Sequence, residues 1–134
     1  MTCNPTLRAQ LIRAAVVAVI VSSVPVVALA ADATKEAATG SMHAGLAAKA
    51  ATIEQVHMHL HHAVNCLVGP KGQGFDAKEA NPCQALGEGA IPDAADPAMK
   101  AKFNAALAHA QAGLKATDLA AAQKAAADTE AALK

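Results

Sequence analysis

One segment limits this chain more than any other. Between Gly69 and Pro97 the sequence GPKGQGFDAKEANPCQALGEGAIPDAADP holds five of the chain's eight glycines and four of its six prolines. Proline fixes φ and removes a backbone donor, and glycine is costly to order, so neither a long helix nor a strand can run through this stretch. Helix-forming residues dominate on both sides. The pattern predicts an all-α chain of the form helix, long loop, helix. Loops of this length are uncommon inside compact domains and are usually functional or disordered. Cys83 near the middle, with Phe75 and Ile91 as apolar plugs, points to a loop that is pinned down.

The first helical block spans about 34–68. Ile53, Val56, Leu60, Val64 and Leu67 recur at three- and four-residue spacing, the mark of one apolar helix face. Gly40, Ser41 and Gly45 weaken its front half. Thr52 to Gln55, TIEQ, fits a capping box and offers a break there. Gly69 and Pro70 form the stop signal. In the second block Asp96 can cap and Pro97 suits the first helical position. Met99, Phe103, Leu107, Ala110 and Leu114 then mark one face, over about 98–116. GLKATD, Gly113 to Asp118, predicts a break with Thr117 capping a last helix over 118–133. The expected architecture is a small up-and-down bundle of three or four helices.

The first thirty residues have the form of an export signal. Arg8 and Arg13 make a basic start, Ala14 to Val27 is almost wholly apolar, Pro25 breaks the run, and Ala28-Leu29-Ala30 places small residues at the cleavage positions. The expectation is cleavage after Ala30, a single helical domain over 31–134, and a periplasmic location. An uncleaved anchor is the lesser alternative, because the apolar run falls short of the roughly 20 residues that span a bilayer.

Residues 31–134 carry nine lysines, no arginine and eleven carboxylates, a net charge of −2. This excludes the basic footprint of a nucleic-acid binder and disfavours anionic membranes. Phe75 and Phe103 are the only aromatic residues, so the core must rely on small side chains and little buried area per residue. A staple is therefore valuable. Cys3 belongs to the signal, leaving Cys66 and Cys83 as a pair in a compartment where disulfides persist. Their bridge would contribute around 3 kcal/mol by the chain-entropy estimate. A thiolate ligand beside His62 is the second reading of Cys66.

Chemistry concentrates in Val56 to Cys66, VHMHLHHAVNC, which holds four of the six histidines. On a helix, Glu54, His57, Met58, His61, His62 and Asn65 fall opposite the apolar stripe, within an arc of about 140°. His57 with His61 and Met58 with His62 stand one turn apart, close enough to share an ion. Imidazole suits zinc and copper, and thioether suits Cu(I). A second helix or the loop must complete the coordination sphere. His109 is the expected contributor, because it lies as far beyond the loop as His57 lies before it. His59 points elsewhere, towards Cys66. The metal ligands expected are His57, His61 and His62, with Glu54, Met58 and His109 as auxiliaries. A solvated histidine face is the bland alternative.

No acid, base and oxyanion constellation is legible, so no enzymatic activity is expected. No C-x-x-C-H motif is present for covalent haem. Non-covalent haem stays a third reading, with Met58 or a histidine as ligand. The loop carboxylates Asp76, Glu79, Glu88, Asp93 and Asp96 lack calcium-loop spacing.

With its signal segment, alanine-rich helices such as AALAHAQAGLKA (Ala105 to Ala116) and clustered VHMHLHH, the chain resembles the small histidine-rich periplasmic metal-binding proteins of proteobacteria. The resemblance implies a helical bundle that buffers copper or other divalent metals. The leading expectation is a periplasmic copper- or zinc-binding protein for sequestration or delivery. The alternative is an interaction module that presents loop 69–97 to a periplasmic protein partner, its histidines incidental or pH-sensing.

Overall fold

The structure is a computed structural model that describes residues 31–134. The expected export signal lies outside the described residues. Among the described residues there are five helices and no strand: α1 (Ala33–Ala48), α2 (Ile53–Val68), α3 (Ala90–Asp93), α4 (Pro97–Lys115) and α5 (Leu119–Leu133). Four are long and α3 is a single turn within the breaker-rich segment. None of them is long and apolar enough to cross a membrane.

The helix boundaries follow from caps. Asp32 accepts from the Lys35 amide at the start of α1. The first block divides where a capping box was legible: Thr52 Oγ1 accepts from the Gln55 amide at 3.3 Å, and Gln55 Oε1 accepts from the Ala51 amide at 3.2 Å. The chain therefore turns over 49–52 instead of continuing as one rod from 34 to 68. Gly69, at φ +67°, ends α2 with its amide on the Asn65 carbonyl. A Cβ there would fall on the Glu88 carbonyl oxygen, so only glycine lets the two loop arms meet. Asp96 caps α4 with Pro97 in its first turn. The last helix is capped by Asp118, whose carboxylate reaches the Ala121 amide, one residue beyond the Thr117 expected from sequence.

α1 packs against α2 and α5, and α4 packs against α5 and α2, so the long helices form a four-cornered bundle of antiparallel neighbours. Its core contains Val56, Leu60, Val64 and Leu67 of α2 and Phe103 of α4, set against Ala47, Ala106, Ala110, Ala122 and Ala126. Phe75 and Ile91 of the loop pack on this core, as do Met99, Leu107 and Leu114. Alanine opposite leucine brings the axes close. Gly40, a helix weakener by propensity, is such an approach point: its Cβ position lies 3.5 Å from the Ala63 carbonyl and 3.6 Å from Cys66 Cβ.

The long loop is fastened at four places. Cys66 is disulfide-bonded to Cys83. Asn65, with no exposed surface, donates through Nδ2 to the carbonyls of Asp76 (2.9 Å) and Ala80 (3.1 Å), while its Oδ1 accepts from the Asp76 amide (2.9 Å). Leu86 accepts from the Asp32 amide at 3.2 Å. Buried Glu36 accepts from the Gly89 amide at 2.9 Å. The loop thus crosses the outer side of α2 and finishes against the start of α1.

Candidate metal centre

The turn at 49–52 folds α1 back along α2, and His43 and His59 stand eight residues either side of Ala51. That symmetry brings them opposite each other across the hairpin. His62, one turn beyond His59, completes a trio whose ligand atoms all lie within 4.8 Å of one another. The Nδ1 atoms of His43 and His59 are 3.5 Å apart. His62 meets the His43 ring edge-on at a centroid distance of 5.0 Å, and the remaining pairs are 5.7 and 5.8 Å. Two nitrogens on a tetrahedral zinc, each at roughly 2.05 Å, stand about 3.3 Å apart. The His43–His59 spacing is already near that value.

All three rings are half-buried at the seam between α1 and α2. Burial pushes the His43 pKa down, and the neighbouring His62 and His59 push the same way. His62 is also lowered, first by burial and then by His59 and His61, against the opposing pull of Glu79. Both effects favour the neutral imidazole, the form with a free lone pair for a cation. Glu79 Oε2 lies 3.6 Å from His62 Nε2, while His62 Nδ1 is buried without a hydrogen-bond partner. A carboxylate on one ring nitrogen, with the other left free, is the usual second-sphere support of a metal-binding histidine. Glu79 is held there by the Asn65 clamp, since Asn65 Nδ2 also approaches its carbonyl at 3.4 Å.

Of the ligands expected from sequence, only His62 belongs to this trio. His61 faces the loop, its Nδ1 3.7 Å from Asp76 Oδ2. His57 sits one turn earlier, with its Nε2 buried and unpartnered. Met58 is 37% exposed. Glu54 is exposed at the start of α2, where hydrogen bonds from its own amide and Thr52 hold its carboxyl below the ordinary range. His109 is exposed on α4 and is not among the converging rings. The outer face of α2 is thus supplied by Asp76 and Glu79 of the loop.

His43 and the inclusion of His59 are what sequence reasoning missed. Helical projection placed His59 on the Cys66 flank, and that flank is the one α1 covers. The signal lay in the TIEQ cap: treated as a hairpin turn, it pairs 43 with 59 by the same counting that paired His57 with His109 across the loop. Comparison of the chain with protein-family models, curated proteins and solved structures finds no match.

Proposed function

We propose that this protein binds a transition-metal ion, copper or zinc, through His43, His59 and His62, and serves sequestration or delivery without turnover. The observation that carries the reading is the convergence of three imidazoles from two helices within 4.8 Å. Three neutral nitrogen donors suit Zn(II) and Cu(II) and leave a coordination position open. Export to the periplasm, read from the first thirty residues, and the resemblance to histidine-rich periplasmic metal binders support the same assignment. Calorimetric titration with Zn(II) and Cu(II) tests it. The variant His43→Ala/His59→Ala is expected to lose at least tenfold in affinity at this site; binding by wild-type protein that is indifferent to this change overturns the proposal.

A second reading draws on the groove between the loop and α4, about 510 Å³ in volume and lined by Val68, Gln73, Ile91, Leu107 and Gln111. Here the fastened loop is a recognition surface for a protein partner. A partner captured equally with and without chelator, and lost on Ile91→Asp, favours it over the metal reading.

A further inference from the structure

Four buried side-chain nitrogen or oxygen atoms among the described residues have no hydrogen-bond partner: Glu36 Oε2, His57 Nε2, His61 Nδ1 and His62 Nδ1. Three are imidazole nitrogens of α2, and His62 belongs to the trio. His57 and His61 do not. They lie about 160° around the α2 axis from His59, so no ion at the trio can reach them. A buried nitrogen left without a partner is unfavourable, and here two occur on successive turns of one helix face; the later of them, His61 Nδ1, lies 3.7 Å from Asp76 Oδ2.

From this geometry we infer a second metal site formed by His57, His61 and Asp76, taking a divalent cation of the zinc class. Histidines four residues apart on a helix present their rings to the same side and bind zinc as a pair. A carboxylate as third ligand makes a two-histidine, one-carboxylate set with an open position. No sulfur joins it, so the site favours Zn(II) over Cu(I). Asp76 is held in place from both sides: Asn65 engages its backbone amide and carbonyl, and its own Oδ1 accepts from the Lys78 amide at 2.9 Å. Its Oδ2 is left facing His61. One turn of the loop therefore serves both sides of α2, with Asp76 at this site and Glu79 beside the trio.

Competition titration of the full chain, disulfide intact, with Zn(II) and a chromophoric chelator reads the stoichiometry. Two ions per chain are expected for the wild type, one for His57→Ala/His61→Ala and one for His43→Ala/His59→Ala. Asp76→Asn, which spares the backbone bonds to Asn65, is expected to weaken the second ion at least tenfold; it carries the test if the double variant loses helical circular dichroism. A single wild-type ion that disappears in His43→Ala/His59→Ala and persists in both His57→Ala/His61→Ala and Asp76→Asn overturns the second site and leaves the trio standing. A single ion with the opposite pattern supports the second site and overturns the trio. No bound zinc overturns both.

Discussion

Glu36 shows what one misplaced charge does in a bundle of this size. It has no exposed surface, and burial pushes its pKa from 4.5 up to about 7, with the Gly89 amide pulling down and the carboxylates of Asp93 and Asp32 pushing up. Below about pH 4.5 the group is neutral whether the chain is folded or not. Between 4.5 and 7 the unfolded chain ionises first, so stability falls as pH rises through this window, by of order 3 kcal/mol in all, and then levels off. Glu36→Gln keeps an acceptor for the Gly89 amide without the charge. Its melting temperature is expected to exceed that of the wild type at pH 8 and to approach it at pH 4.5; parallel melting curves across that range refute the account. Asn65 is the opposite case, a buried polar group whose amide is fully used. Asn65→Ala strands the Asp76 amide and three loop carbonyls, those of Asp76, Glu79 and Ala80. About 2–4 kcal/mol should be lost in urea unfolding, and the amides of 76–80 should exchange faster with solvent.

At the scale of elements, the apolar stripe of α2, the stop at Gly69, the start at Asp96 and the cysteine pair were all legible. Each depends on neighbours a few residues away, or on two thiols with no competitor. The α1–α2 hairpin was legible only as an option at Thr52. Gly40 and Gly45 argued locally against a stable helix, whereas their task is to let neighbouring helices come close: a Cβ on Gly45 would stand 3.0 Å from the Glu130 carboxylate. Such a task belongs to the partner helix and leaves no mark in local propensity. The histidines divide in the same way. Helical arithmetic gives each ring its direction, as with His57 and His61, but not the element that will cover it. The disulfide is the element-scale lever. Cys66→Ser/Cys83→Ser, with a sequence separation of 17 residues, is expected to cost around 3 kcal/mol in denaturant unfolding. On the proposed reading it should also weaken zinc binding, because Asp76 and Glu79 ride on the closed loop; stability loss without any change in zinc affinity would show that the Asn65 clamp alone holds them.

For the molecule as a whole, the reliance on alanine leaves little apolar area per residue, and ligands that bind only the folded form weigh heavily. On the proposed reading, zinc at a hundredfold above its dissociation constant would add about 2.7 kcal/mol per site. A domain of this length should then melt of order 10 °C higher. Helical circular dichroism during heating, with and without Zn(II), reads this directly, and unchanged melting in saturating zinc would contradict a site that depends on the fold. The half-burial of the trio has one more consequence. Rings at the seam of two helices are open on one side, and the exposed thioethers of Met42 and Met58 adjoin His43 and His59 in sequence. On the proposed reading, an incoming donor can attach before an imidazole lets go. The ion then leaves by exchange of partners, at a pace set by the concentration of the acceptor and not by its spontaneous escape.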